Sequence, residues 1–299
     1  MEALLVIAGP TASGKSALAL ALAERLGGEI VSADSQQVYR GLDVGTAKPS
    51  AAERARVPHH LLDVAEPGEG MDAARWVALA DAAIVAIAAR GRLPVVAGGT
   101  GLYLRALLHG VADAPGRDPE LRARLEEEAA RLGRPALHAR LSSLDPDAAG
   151  RIRPNDLVRI VRALEMAGAG RTQSEIFAAH RFRPVRHRAR ILALHPARAE
   201  LHRRIDARVV EMFRGGLLEE ARALRERFAD ALPRLPIGYA EAAACLRGEI
   251  PLDEAIRRVQ VAHRRYARRQ VIWLRREEGV EWIAPPFDPD ALARRVREG

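Results

Sequence analysis

Eight residues near the N-terminus, Gly9, Pro10, Thr11, Ala12, Ser13, Gly14, Lys15 and Ser16, have the types and spacing of a phosphate loop. Glycines let backbone N–H groups turn inward around an anion, and the N-terminus of the following helix adds positive potential. Lys15 supplies a point charge, and the Ser16 hydroxyl is the kind of oxygen that Mg²⁺ accepts as a ligand. The pattern therefore implies a diphosphate-bearing ligand. It leaves open whether phosphate is transferred, hydrolysed or simply departs, because all three reactions need the same cradle.

Two further segments could face that cradle. Val31-Ser32-Ala33-Asp34-Ser35 ends an apolar run, and in a doubly wound sheet it sets Asp34 at the carboxyl edge beside the phosphate loop. A carboxylate there either holds magnesium through water or accepts a proton from an incoming nucleophile, and the residues alone do not choose. The stretch from Gln37 to Pro49 is polar, glycine-bearing and contains Lys48, so it reads as a substrate loop rather than a merely solvated one. Another apolar run ends in Gly98-Gly99-Thr100-Gly101-Leu102-Tyr103, with no acidic residue where ATPases often carry one. Either a backbone approaches a ligand closely there, with Thr100 offering a hydroxyl, or the glycines make a tight turn.

The elements that would position these groups alternate. Leu4–Ala8, Glu29–Ala33, a short run near His60–Val64 and Leu93–Ala97 read as strands, separated by helical stretches such as 16–26 and 72–90. That alternation predicts an α/β fold with a P-loop NTPase-like, doubly wound parallel sheet. After His109 the pattern turns helical: Asp118-Pro119 is an N-cap and first helical residue, and few β-branched runs follow. The expected organisation is a core over 1–112, an inserted all-helical domain over 113–188, and a core completion over 189–299 that begins with a strand at Arg190–Leu194.

The apolar runs are too short to span a bilayer, which takes about 20 residues, so no membrane is expected as a partner. No secretory signal is apparent, and Cys245 alone makes no internal disulfide; the expected compartment is cytoplasmic. The net charge is +8, roughly neutral over 1–112 and roughly +5 over 113–190 and +4 over 191–299, as expected of a chain that meets a polyanion. Arginine is used almost everywhere, which weakens that count but singles out Lys15 and Lys48. Residues 151–190 carry ten arginines against three acids. Arg257, Arg264, Arg268 and Arg275, with Arg258, Arg265, Arg269 and Arg276, repeat as one helical stripe opposite Val259, Ala262, Tyr266 and Trp273. Tyr266 and Trp273 fit a helix core better than a base-stacking platform, and the nine histidines show no metal-ligand spacing.

Taken together, the phosphate loop, Asp34-Ser-Gln-Gln-Val-Tyr-Arg-Gly-Leu-Asp-Val-Gly-Thr-Ala-Lys48-Pro and Gly98-Gly-Thr-Gly-Leu-Tyr103 resemble the tRNA dimethylallyltransferase, or tRNA isopentenyltransferase, family. Arg153-Pro-Asn-Asp-Leu-Val-Arg-Ile-Val-Arg-Ala-Leu-Glu165, Arg204-Ile-Asp-Ala-Arg208, Gly215-Gly-Leu, Gly238-Tyr239 and Arg269-Gln-Val-Ile-Trp273 extend the resemblance over nearly the whole chain. It implies transfer of the dimethylallyl group from dimethylallyl diphosphate to N6 of the adenine just 3′ of certain anticodons, with Mg²⁺ as cofactor and tRNA as partner; nothing in the sequence points to an obligate dimer, and a monomer is expected. By the same resemblance Asp34 is the base and Thr100 lies beside the reacting centre. The diphosphate binds Gly9 to Ser16 with Arg204 or Arg208, and Ser16 ligates Mg²⁺. Asp34, Ser35, Gln36, Gln37, Thr100, Arg122, Val158, Arg159, Ile160, Val161, Arg162, Gly238 and Tyr239 correspond to tRNA-contacting positions. Gln36 stands where the family often has an apolar or small residue, and Ala240 where it has a basic one, which puts that last contact in doubt.

Three alternatives compete. A small-molecule kinase would turn over ATP and ignore tRNA, an adenylate prenyltransferase would act on free AMP, and a non-catalytic RNA-binding switch would leave no modified base.

Overall fold

In the computed structural model, residues 4–180, 185–228 and 235–298 are described. Six strands form one sheet: β1 (Leu4–Ala8), β2 (Gly28–Ala33), β3 (His59–His60), β4 (Leu93–Gly98), β5 (Ala189–Leu194) and β6 (Val280–Ile283), in the order β3-β2-β4-β1-β5-β6. Every pairing is parallel. β1 is buried at all five positions, as a strand covered on both faces should be, and this explains its unbroken Leu-Leu-Val-Ile-Ala run. The helices in chain order are α1 (Lys15–Leu26), α2 (Ala51–Arg56), α3 (Ala73–Ala89), α4 (Gly101–His109), α5 (Pro119–Leu132), α6 (Arg134–Leu144), α7 (Pro146–Arg151), α8 (Leu157–Gly168), α9 (Gln173–His180), α10 (Arg198–Arg214), α11 (Leu217–Phe228), α12 (Tyr239–Leu246), α13 (Leu252–Leu274) and α14 (Pro289–Glu298).

Two compact units result: residues 1–108 with 186–299, and residues 109–185. The expected boundaries of the insertion, 113 and 188, thus stand a few residues from those of the helical unit. In the first unit, Leu5, Ile7, Leu18 and Leu22 pack one face of the sheet, while Val6, Trp76, Ile84 and Leu107 pack the other. A third cluster binds α10 to α13 through Ile205, Val209, Phe213, Leu217 and Val259. The helical unit has its own core of Leu125, Leu137, Leu141, Ile160 and Leu164. Asp118 caps α5 by accepting the Leu121 N–H at 2.9 Å, with Pro119 as the first helical residue. Among the described residues no helix is long and apolar enough to cross a membrane.

The switch in strand order at β1 opens a crevice beyond the carboxyl ends of β1, β2 and β4. β2 and β4 approach so closely there that a Cβ on Gly98 would strike the Ala33 backbone. The segments bearing Gly9, Asp34 and Thr100 all leave the sheet at this edge.

Candidate active site

The turn from β1 into α1 makes the cradle. Ser13 N–H bonds the Pro10 carbonyl at 3.2 Å, Ala12 takes a left-handed conformation (φ 61°), and Gly14 (φ 94°) precedes the helix. A non-glycine residue in that region costs of order 1 kcal/mol, so the conformation persists only where its surroundings enforce it. Gln270 does part of the enforcing. Its amide oxygen accepts the Thr11 N–H at 2.8 Å, and its amide nitrogen donates to the Gly99 carbonyl at 2.9 Å. One side chain from α13 thereby fixes the phosphate loop against the end of β4.

Ala12, Gly14, Lys15, Ser16, Ala17, Arg204 and Arg208 surround the hollow of the loop. Lys15 donates to the Pro10 carbonyl at 3.4 Å. Burial, with help from the Arg208 charge, holds its pKa down to about 8, against an opposing pull from Asp34. Burial also lowers the Arg208 pKa, and its Nε is buried without a hydrogen-bond partner. Ser13 Oγ is likewise buried and unpartnered. Desolvated cations and orphaned polar atoms around one hollow are what an anion would satisfy. Arg204 differs: its Nε is held by Glu200 at 2.6 Å, and only a long 3.5 Å contact reaches the Ser13 carbonyl. Arg208 is the better placed of the two. No group of three or more His, Cys, Asp or Glu side chains among the described residues could cage a metal ion. The exposed Ser16 hydroxyl at the start of α1, with phosphate oxygens beside it, nevertheless fits the sparse coordination that Mg²⁺ takes from proteins.

Next to the cradle lies a cleft of about 320 Å³, lined by Thr11, Lys15, Ser16, Asp34 to Gln37, Gly45 to Ala47, Ala97, Gly98, Arg208, Leu235 to Ile237, His263, Tyr266, Arg269 and Gln270. Asp34 sits at the end of β2 with Oδ1 accepting the N–H groups of Gln36 (2.9 Å) and Gln37 (3.4 Å), a turn that aims the carboxylate without using its second oxygen. Thr100 lies behind this wall: its Oγ1 accepts the Ser35 N–H at 3.0 Å. It orients Ser35 and is not among the side chains lining the cleft. Tyr266 does line it. Burial, then the Asp34 charge, pushes its phenol up to about 12, so the hydroxyl stays protonated. The expectation that Tyr266 belongs to a helix core is therefore corrected: the buried stripe of α13 runs through Val259, His263, Ala267, Gln270 and Leu274 instead. Trp273, by contrast, packs under Gly101, where a Cβ would collide with the indole, and beneath the Arg105 guanidinium.

Several other residues take different places from those expected. Lys48, read as part of a substrate loop, has a side chain only 1% exposed, bonded to Asp43, to Asp63 at 2.7 Å and to the Tyr39 carbonyl at 2.8 Å. It is a strut inside the loop. Tyr239 is 0% exposed, with its hydroxyl on Glu220, so its side chain offers nothing to RNA. Ile160 (0%) and Val161 (1%) are core residues of the helical unit, because α8 turns them inward. On the same helix Val158 and Arg159 are exposed, while Arg162 donates to the Pro115 carbonyl at 2.7 Å. Arg122 pairs with the buried Glu165 at 2.7 Å. Gly238 caps α12 with φ 105°. The arginine stripe is interrupted, since Arg264 turns to Asp206 at 2.9 Å and the exposed Arg257 and Arg258 pair with Glu254, leaving Arg265, Arg268, Arg269, Arg275 and Arg276 exposed and outside these pairs. Arg181 and Arg183 of the other cluster lie outside the described residues.

Sequence reasoning missed Gln270, Glu220 and His263. Gln270 and His263 share the cleft-facing stripe of α13 with Tyr266 at spacings of three and four residues, and a polar pair on an otherwise apolar stripe was the available signal. His263 is 8% exposed with Nε2 unpartnered; burial and the nearby Arg208 charge hold its pKa down to about 4, so the ring is neutral.

Residues 37–277 match the family model described as IPP transferase. A tRNA dimethylallyltransferase of Anaeromyxobacter sp. (strain Fw109-5) is 80% identical over the whole of both chains, and one of Myxococcus xanthus (strain DK1622) is 52% identical over 95% of this chain and 93% of that one. Among solved structures, the full-length tRNA isopentenylpyrophosphate transferase of Bacillus halodurans is 38% identical, with a TM-score of 0.72 over 100% of this chain and 95% of its own. A eukaryotic dimethylallyltransferase acting on tRNA gives 0.81 at 27% identity, over 99% of this chain and 78% of its own.

Proposed function

The chain belongs to the IPP transferase family, and on that premise we propose how its own residues divide the reaction. The protein transfers a dimethylallyl group to tRNA. The donor in this reading is dimethylallyl diphosphate, with its diphosphate against the amides of residues 11 to 16, Lys15 and Arg208. The acceptor is N6 of the adenine 3′-adjacent to the anticodon. An exocyclic adenine amine is a weak nucleophile, whereas an allylic carbon ionises readily once its leaving group is neutralised, so charge stabilisation at the diphosphate dominates. The allylic C–O bond breaks with its electron pair going to diphosphate, the C–N bond forms, and Asp34 takes the N6 proton. Ser16 would hold Mg²⁺, which when bound adds positive charge at the departing oxygens.

The stacked target base has to be drawn out of its loop, which requires a grip on the flanking RNA. Exposed Arg265, Arg268 and Arg269 of α13, Arg275 and Arg276 just past its end, and Arg151, Arg153, Arg159 and Arg171 of the helical unit, are suited to phosphate contacts. The same reading has the protein working as a monomer in the cytoplasm, where its RNA substrate resides.

One observation carries the proposal: a carboxylate, Asp34, shares a cleft with the desolvated cations of a phosphate cradle. Incubation with dimethylallyl diphosphate, Mg²⁺ and unmodified tRNA, followed by mass analysis of nucleosides, is expected to yield N6-(dimethylallyl)adenosine. A labelled γ-phosphoryl group appearing on an acceptor, with no prenylated nucleoside, would overturn it.

A further inference from the structure

We propose that Glu220 is a positioning residue for the transfer, its carboxylate fixing the 43–47 loop that in turn sets Arg208 and Gln37 in the cleft. The inference rests on the transfer reading above. Glu220 lies on α11 and is absent from the cleft lining. Its Oε2 accepts the N–H groups of Asp43 and Val44, each at 2.8 Å. Its Oε1 accepts the Gly45 N–H at 3.0 Å and the Tyr239 hydroxyl. Three successive backbone amides thus converge on one anion, the geometry in which a chain binds a charge rather than a neutral group. An amide in its place would set an NH₂ group against the two N–H groups of Asp43 and Val44 in one orientation and against the Gly45 N–H in the other, so one backbone donor at least is opposed whichever way it is turned. Tyr239 closes the arrangement from behind, its ring filling the space that a Cβ on Gly45 would need.

The loop held in this way ends in the cleft. The Thr46 carbonyl accepts from Gln37 Nε2 at 3.2 Å and from Arg208 Nη2 at 3.5 Å, and the Ala47 carbonyl accepts from Gln37 at 3.2 Å. Gln37 is fixed at its other end by the Ser32 hydroxyl at 3.1 Å. Arg208 Nε has no partner, and the Thr46 carbonyl meets this guanidinium only at a long 3.5 Å, so the loop bounds the space the guanidinium takes up, while Gln37 is held by two shorter bonds. Ala47 stands at φ 46°, a left-handed conformation that a non-glycine residue keeps only where its surroundings hold it. A change at Glu220 therefore reaches the cleft through Gln37 and through the loop edge against which the Arg208 guanidinium lies.

Steady-state kinetics on the full chain tests this with Glu220→Gln, the milder Tyr239→Phe, which removes one of the four donors, and Leu224→Ala, which opens a cavity one turn along the same helix without removing any of the carboxylate's bonds. Glu220→Gln is expected to raise the KM for dimethylallyl diphosphate by about 10-fold or more, the scale of one charge-assisted hydrogen bond. Tyr239→Phe should shift it in the same direction by less. Leu224→Ala should lower the Tm while leaving that KM at the wild-type value. The idea fails if Glu220→Gln keeps its KM within twofold of wild type, or if Leu224→Ala raises KM as much for an equal loss of Tm. If Glu220→Gln does not fold, Tyr239→Phe decides alone, an unchanged KM counting against the proposal. Wild-type protein that leaves tRNA unmodified would sink the functional reading instead.

Discussion

Replacing Asp34 by asparagine isolates the base from everything else the residue does. Asparagine keeps the Oδ1 acceptor that takes the Gln36 and Gln37 N–H groups, so the turn survives, and it removes both the proton acceptor and one negative charge. Loss of a general base lowers turnover by ~10²–10⁴-fold. The missing charge works the other way on binding. Relieving repulsion between this carboxylate and a diphosphate in the adjoining cradle contributes on the order of 1 kcal/mol or more per charge before screening, at the effective dielectric of about 20 that suits such sites. Against this, Asp34 raises the Lys15 pKa, so its removal leaves that ammonium somewhat easier to deprotonate. Diphosphate should therefore bind Asp34→Asn as tightly as wild type or more tightly, tRNA affinity should be little changed, and single-turnover prenyl transfer should fall by at least ~10²-fold. Calorimetric titration of diphosphate with and without Mg²⁺, alongside single-turnover assays, measures both. Unchanged turnover would remove Asp34 from the base role. A weakening of diphosphate binding seen only with Mg²⁺ would show that it serves the metal instead.

Three other outcomes follow from the same geometry. Because the free Lys15 ammonium has its pKa lowered to about 8 and an anion binds its charged form, diphosphate affinity, corrected at each pH for the ligand's own ionisation, should be flat below pH 8 and fall up to tenfold per pH unit above it, in binding titrations from pH 6.5 to 9.5. Gln270→Leu leaves the buried Thr11 N–H and Gly99 carbonyl without partners, a loss of ~1–3 kcal/mol for each, so the Tm should drop by several degrees and diphosphate binding weaken; an unchanged melting curve would deny the residue its bracing role. Affinity for tRNA should decline with salt at a log-log slope of about −0.7 to −0.9 per phosphate contacted, and each exposed α13 arginine replaced should reduce that slope by about 1.

Much of the fold was legible because local pattern and burial coincide. Leu4–Ala8, Gly28–Ala33 and Leu93–Gly98 are apolar runs that end in glycine or aspartate, and all three end at the crevice. The phosphate loop was legible for the same reason, since its chemistry lies in consecutive residues. What the pattern could not supply was direction. Lys48 and Tyr239 are polar residues in loop-like stretches, yet both point inward because carboxylates from Asp63 and Glu220 wait there, and those partners are 15 and 19 residues away. Ile160 and Val161 lie in an arginine-rich segment, and only the packing of α8 shows which side they take. Gln270 and His263 look like ordinary members of an amphipathic helix until the sheet edge they meet is known.

The bond from Gln270 to Thr11 spans 259 residues. At ribosomal elongation rates of ~5–20 residues per second, the nascent chain carries Gly9 to Ser16 for roughly 15–50 s before the side chain that braces them has been made. Strand β1 likewise lacks its β5 neighbour until residues 189–194 are synthesised. Nucleotides and diphosphates, abundant around a translating ribosome, thus meet a finished binding loop only once residue 270 has been added, and competence to hold them arrives late and together with the helix that carries Tyr266 and Arg269.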